Sequence, residues 1–91
     1  MAKECAAKVT VVNRLGLHAR PATAVADLAQ QFQSTICLRR DAEEIDGKSI
    51  MQIMLLAATQ GVELEVVARG EDAQEACEAL SQLFARGFDE E

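Results

Sequence analysis

The sequence predicts an α+β fold: an open-faced β-sandwich in which three helices cover one face of a four-stranded antiparallel sheet, in the order β-α-β-β-α-β-α. Three observations predict it. Several short stretches alternate apolar and polar residues, the mark of strands with one buried face. Between them lie segments whose apolar residues recur at helical spacing. No repeat, low-complexity tract or Pro/Gly/Ser linker divides the chain, so residues 1–91 are expected to form one domain. Strands with one polar face and helices with one apolar stripe pack as two layers, leaving the second face of the sheet open.

Each element has its own signal. From Glu4 to Val12, Cys5, Ala7, Val9 and Val11 alternate with polar neighbours, a strand. Asn13-Arg14-Leu15-Gly16 is a turn. From Ala19 to about Gln33, Ala22, Val25, Leu28, Ala29 and Phe32 form a helical stripe, with Pro21 in the first turn, where its missing N–H costs little. Ser34–Arg40 is a second strand and Glu43–Ile45 a short third, before Asp46-Gly47 breaks the chain. Ser49 to about Ala58 is helical, with Ser49 and Gln52 spaced as a capping box, and Thr59-Gln60-Gly61 stops it. Val62–Arg69 alternates most clearly of all. The last helix starts at an Asp72 cap with Glu75 three residues on, and carries Ala73, Ala76, Cys77, Leu80, Leu83 and Phe84 on one face until Gly87 ends it.

Composition excludes several functions. Net charge is −6, aromatics are 3% and Trp and Tyr are absent, so neither a basic surplus nor a stacking platform supports nucleic-acid binding. The charge is unevenly spread: residues 1–40 carry net +4 and residues 41–91 net −10, which suits an anion or an acidic partner at the N-terminal half. No apolar run approaches the roughly 20 residues of a membrane span, and Met1–Ala7 lacks the apolar core of a secretory signal, so a cytoplasmic protein is expected. Cys5, Cys37 and Cys77, odd in number and widely spaced, read as buried inert thiols. With a single histidine, neither a metal site nor any other cofactor is expected. The acidic ending Asp89-Glu90-Glu91 reads as a solvated, frayed tail, and Arg39-Arg40 as surface residues at a strand end.

That histidine, His18, lies where a loop closes at Gly16 and a helix begins. Its imidazole is a nucleophile near neutral pH beside the free amides of Ala19 and Arg20 and the positive end of the helix dipole. Arg20 adds a planar cationic fork for phosphate oxygens. The constellation reads as a phosphoryl-accepting histidine; an exposed loop histidine without a role is the alternative, and the residue pattern leaves both open. The second helix is apolar nearly all round. If Ile53, Leu56 and Ala57 face the core, then Ile50, Met51, Met54 and Leu55 form a docking patch; a fully buried helix is the other option. Ser49 is first of all a capping serine. A phosphate on it would suit the helix start, yet would set negative charge beside that patch and weaken an acidic partner's binding.

The segment Asn13-Arg14-Leu15-Gly16-Leu17-His18-Ala19-Arg20-Pro21-Ala22 resembles the active-site motif of the histidine-containing phosphocarrier (HPr) family of the bacterial phosphoenolpyruvate-dependent phosphotransferase system. Gly47-Lys48-Ser49-Ile50-Met51 is similar to that family's second motif, around its regulatory serine, and the resemblance runs over nearly the whole chain. It implies a phosphocarrier, not a free-standing enzyme, whose His18 Nδ1 takes a phosphoryl group from enzyme I and passes it to a IIA protein. Arg20 and the amides of Ala19 and Arg20 would steady the phosphate. It further implies docking through Leu17, Ile50, Met51 and Leu55, phosphorylation of Ser49 by an HPr kinase/phosphorylase where one exists, and no membrane insertion. A monomer best suits docking with two partners in turn. Asn13–Gly16 and the Gly87–Glu91 ending look like the nitrogen-branch regulatory relative, whereas Gly47–Met51 looks like the sugar branch, so both pathways stay open. The rival functions are a partner-binding regulator that uses phosphorylation only as a signal, and a small-molecule-binding module of ferredoxin-like type.

Overall fold

A computed structural model describes residues 3–90. The strands are β1 (Glu4–Thr10), β2 (Thr35–Arg40), β3 (Glu43–Asp46) and β4 (Glu63–Arg69); the helices are α1 (Ala19–Ala29), α2 (Ile50–Leu55) and α3 (Ala73–Ala85), followed by a 3-10 turn at Gly87–Asp89. The strands form one sheet in the order β1-β4-β2-β3, antiparallel at every junction. Val9 pairs with Leu64 and Ile36 with Ala68, which sets the apolar alternation of three strands on a common face. The helices cover that face, enclosing Val9, Ile36, Leu38, Leu64, Val66, Ile53, Leu80 and Phe84. This is the predicted open-faced sandwich.

The element ends depart from expectation for local reasons. α1 stops at Ala29 rather than near Gln33 because its last amides shorten their reach: Gln31 N donates to Leu28 O and Phe32 N to Ala29 O, three residues back instead of four. Phe32 keeps its place on the apolar stripe by packing against the core from beyond the helix end. α2 closes at Leu55 instead of Ala58, and Ala57 follows with a positive φ of 50°. Ala57 is therefore exposed while Ala58 takes the core position assigned to it. The stripe read for α3 is buried residue for residue.

Two caps differ from the sequence reading. The Ser49 hydroxyl accepts from Gln52 N at 3.2 Å as expected, but Gln52 Oε1 accepts from Asp46 N rather than closing the reciprocal arm on Ser49. Asp72 makes no side-chain cap on α3. Its carboxylate accepts instead from Gln33 N at 2.8 Å, Ser34 N at 2.9 Å and the Ser34 hydroxyl, stitching the start of β2 to the start of α3. The Ser34 hydroxyl, Gln33 N and Ser34 N together hold the Asp72 carboxyl below the usual carboxylate range, outweighing its partial desolvation. Of the three free thiols only Cys77 is buried; Cys5 and Cys37 are half-buried. Burial, with Cys5 alongside, pushes the Cys77 thiol up to about 12.

Candidate phosphoryl-carrier site

The site is built where the β1–α1 loop meets the α2–β4 loop. Gly16, at φ 72°, passes so close to the neighbouring backbone that a Cβ there would stand 2.5 Å from Ala58 O. That approach lets Leu17 N donate to Ala58 O at 2.9 Å, clamping the loop one residue before the histidine. His18 is the N-cap residue of α1, extended at φ −77° and ψ −171°, and its ring makes no capping bond to the helix. The amides of Ala19 and Arg20 stand in the first turn, where a helix has no internal acceptor for them, and Pro21 lacks the N–H altogether. The backbone thus presents donors, and the ring stands beside them rather than using them.

The ring is engaged from the other end of the chain. Glu90 Oε1 and Oε2 lie 3.1 and 3.0 Å from His18 Nε2. Glu90 also accepts from Asn13 Nδ2 at 3.0 Å and stands 3.8 Å from Arg20 Nη1. Only 12% of its side chain is exposed, against 84% for Arg20. Desolvation pushes the Glu90 carboxyl up, but the bonds from His18 and Asn13 and the charges of the imidazole and Arg20 outweigh it and hold it below its ordinary range. The expectation of a frayed tail is corrected at this residue: Phe88 is buried edge-on against Phe84, with ring centroids 4.9 Å apart, and returns the chain to the site. Glu91 lies outside the described residues.

Arg20 stands in solvent, with one long ionic contact among the described residues. Together with Arg14, Leu15, Phe88, Asp89 and Glu90 it lines an open recess beside the ring. Asn13 and Glu90 are site residues that the motif reading missed, although the aromatic Phe88 within an acidic ending was the available signal that the tail packs back.

The α2 side chains expected to form a docking patch, Ile50, Met51, Met54 and Leu55, are exposed, Met51 by 79% and Leu55 by 73%, while Ile53 and Leu56 face the core. Leu17 is corrected: at 4% exposure it belongs to the core, held inward by the Ala58 bond, and the exposed leucine of the loop is Leu15. Ser49 caps α2 at the edge of the patch. Gln30 Nε2 donates to Lys48 O and Lys48 Nζ to Phe32 O, which fastens the entry of α2 to the end of α1. Arg39 and Arg40, read as surface residues, are half-buried: Arg39 pairs with Glu65 and Glu44, and Arg40 donates to Leu56 O. Among the described residues, no three His, Cys, Asp or Glu side chains cluster as a metal site.

Comparison with known proteins agrees with this geometry. The family model described as "PTS HPr component phosphorylation site" matches residues 5–86. The phosphocarrier protein HPr of Treponema pallidum is 46% identical over 83 residues, covering 91% of this chain and 94% of that protein. The phosphocarrier protein NPr of Proteus mirabilis is 41% identical over 85 residues, covering 92% and 94%. The crystal structure of an HPr from Thermoanaerobacter tengcongensis superposes with a TM-score of 0.91 at 38% identity, covering 96% of this chain and 98% of that one. With the fold, the histidine at the head of α1 and these matches in agreement, the chain belongs to the HPr family of phosphocarrier proteins of the phosphotransferase system.

Proposed function

We propose that the chain relays a phosphoryl group from phosphorylated enzyme I to a IIA protein through Nδ1 of His18. The observation that carries this reading is the setting of the ring: Glu90 occupies Nε2, so the nitrogen left for attack is Nδ1, on the residue that caps the first turn of α1. In the transfer, the Nδ1 lone pair attacks phosphorus in line with the departing nitrogen of the donor. The amides donate hydrogen bonds to the charged equatorial oxygens, and Arg20, exposed, closes on them. Among the described residues the recess beside the ring is open, so phosphorus stays accessible to the next acceptor. The chain is a co-substrate of its partners and not a free-standing enzyme. Residues 1–91 act as one HPr-like domain, cytoplasmic and monomeric, without a cofactor.

Docking of enzyme I and the IIA protein uses Ile50, Met51, Met54 and Leu55, exposed apolar side chains on α2 of the kind that marks partner contacts. Phosphorylation of Ser49 by an HPr kinase/phosphorylase would set a double negative charge at the edge of this patch and turn acidic partners away. A second reading, service of the nitrogen branch rather than sugar uptake, is favoured by one observation: Phe88 to Glu90, within the ending that looks nitrogen-branch, is part of the site.

The test is intact mass after incubation with phosphoenolpyruvate, Mg²⁺ and enzyme I. One phosphoryl adduct, acid-labile, alkali-stable and absent from His18→Ala, is expected. The absence of an adduct with an enzyme I that phosphorylates its own HPr would overturn the proposal. Transfer from the phosphorylated chain to sugar-specific or nitrogen-branch IIA proteins then separates the two branches.

A further inference from the structure

We propose that Glu90 is a positioning residue that keeps the ring proton on Nε2 of His18 throughout the phosphoryl-transfer cycle, an inference that rests on the carrier reading above. Both of its oxygens face Nε2, at 3.1 and 3.0 Å. An ionised carboxylate can only accept hydrogen bonds, so Nε2 must be the donor and Nδ1 the nitrogen with the free lone pair.

The placement of Glu90 is built by three independent features. Phe88 is buried against Phe84, and Glu90 N donates to Gly87 O at 3.0 Å, fixing the approach of the chain. Asn13, 3% exposed, donates both amide hydrogens, to Gly16 O at 2.8 Å and to Glu90 Oε1 at 3.0 Å. Because both neighbours are acceptors, the amide cannot be turned round. Its Oδ1 is consequently buried without a protein partner among the described residues. A buried acceptor left unpaired is costly; the loop bears that cost while its amide holds a carboxylate on the histidine.

The proton matters because of how the phosphoryl group leaves. When Nδ1 attacks, a P–N bond forms and the bond from phosphorus to the donor nitrogen breaks, that nitrogen keeping the electron pair. The proton already on Nε2 stays there, and the phosphorylated ring becomes a cation facing the Glu90 carboxylate. When the next acceptor attacks phosphorus, the P–Nδ1 pair returns to the ring. If Nε2 still carries its proton the leaving group is neutral imidazole; if the proton has been lost it is imidazolate, a far poorer one. Glu90 thus preserves the donor strength of the phosphorylated chain as pH rises, much as a carboxylate orients and balances a catalytic histidine. Among the described residues, the other charged groups around the pair are Arg20 on α1, Arg14 in the preceding loop, and Asp89, which pairs with Arg86 at 3.3 Å. The Ala58–Gly61 segment that faces the loop brings no charge.

The experiment uses the chain phosphorylated by enzyme I and purified, and follows return of the phosphoryl group to unphosphorylated enzyme I across pH. Glu90→Gln is expected to match the wild type at about pH 6 and to fall about tenfold behind it at about pH 8.5. Glu71→Gln, an exposed carboxylate in the turn before α3 and no part of the site, is expected to follow the wild type throughout. Ring nitrogen NMR of the unphosphorylated chain should show Nε2 protonated in the wild type and a mixture of tautomers in Glu90→Gln. A Glu90→Gln profile parallel to the wild type, whether equal or uniformly slower, overturns the proposal and leaves Glu90 a tether for the chain end. A wild-type chain that takes up no phosphoryl group defeats the carrier reading instead, so the two failures are distinct.

Discussion

Gly16→Ala tests whether the clamp beneath His18 is as tight as the geometry requires. At φ 72° an alanine is strained by about 1–2 kcal/mol. Its Cβ would also stand 2.5 Å from Ala58 O and 3.1 Å from Thr59 Cα, both backbone atoms that no rotamer change can move. Relief requires the two loops to separate, which stretches the 2.9 Å bond from Leu17 N to Ala58 O at a further cost of about 1 kcal/mol. The total is about 2–3 kcal/mol, or a urea midpoint lowered by about 2 M for a slope near 1–1.5 kcal/mol per M. Gly61→Ala is the matched control: its φ is 92°, but nothing lies within 4 Å of the added Cβ, so only backbone strain is expected. His18 follows two residues after Gly16, and a shift of about 1 Å in the ring can cost about 100-fold in rate. Phosphorylation by enzyme I, measured well below the unfolding midpoint, should therefore fall far more in Gly16→Ala than in Gly61→Ala. Equal stability of the two variants, together with unimpaired phosphorylation of Gly16→Ala, would refute the idea that collision with Ala58 locks the loop.

Three further outcomes are expected. Leu55→Glu, at a side chain 73% exposed, should leave urea stability within about 0.5 kcal/mol while raising the KM of enzyme I for the chain about tenfold or more; an unchanged KM would remove α2 from the docking surface. Ser49→Ala should cost about 1 kcal/mol by deleting the cap on Gln52 N, whereas Ser49→Asp should keep the cap, fold normally and slow transfer from enzyme I; normal transfer in Ser49→Asp would count against charge as the regulatory agent. Stability should decline as pH falls from about 5 towards 2. The Glu90 and Asp72 carboxyls are depressed in the folded state, so their stabilisation is present above their ordinary range and is lost as they protonate. Urea midpoints taken across that interval should flatten in a Glu90→Gln, Asp72→Asn double variant.

The parts of the fold legible in the sequence were those set by repetition. The α3 stripe and the alternation of β4 repeat enough times for period alone to identify them, and both are buried as read apart from one residue. That residue, Val67, lies on the otherwise open face of the sheet between Ala6 and Cys37, where the flanking strands shield it. Ends were legible only where a dedicated residue marks them. α1 runs into Gln30 and Gln31 with no glycine or proline, and its apolar stripe continues through Phe32, so periodicity carried the helix four residues too far. α2 turns off at Ala57, a residue with no preference for a positive φ, while Gly61, the apparent stop signal, comes four residues later. Leu17 shows the same limit: motif position put it beside the docking surface, but the bond from its amide to Ala58 O turns the side chain inward.

The functional site divides along the same line. His18, Arg20 and the first-turn amides, the proposed phosphoryl site, lie within one short segment, so local chemistry alone could nominate them. Glu90 lies 72 residues further along the chain, and its role depends on a packing event, the burial of Phe88 against Phe84, that no charge or spacing rule encodes. An acidic ending is ordinarily a solvated one, because like charges favour extension and little apolar surface is available to bury. A single phenylalanine reverses that here by giving the tail an apolar anchor two residues before the carboxylate. The arrangement also separates the two tasks of a carrier. In the proposed relay, the groups that would grip the phosphate, the Ala19 and Arg20 amides and the exposed guanidinium, come from α1. The group proposed to manage the ring charge, Glu90, lies 72 residues further along the chain, is largely shielded, and approaches Nε2. Phosphate binding and proton retention can therefore be altered independently, and the pH profile of Glu90→Gln set against Arg20→Ala is where that separation is measurable: Arg20→Ala should slow transfer by the same factor at every pH, and Glu90→Gln only as the solution becomes alkaline.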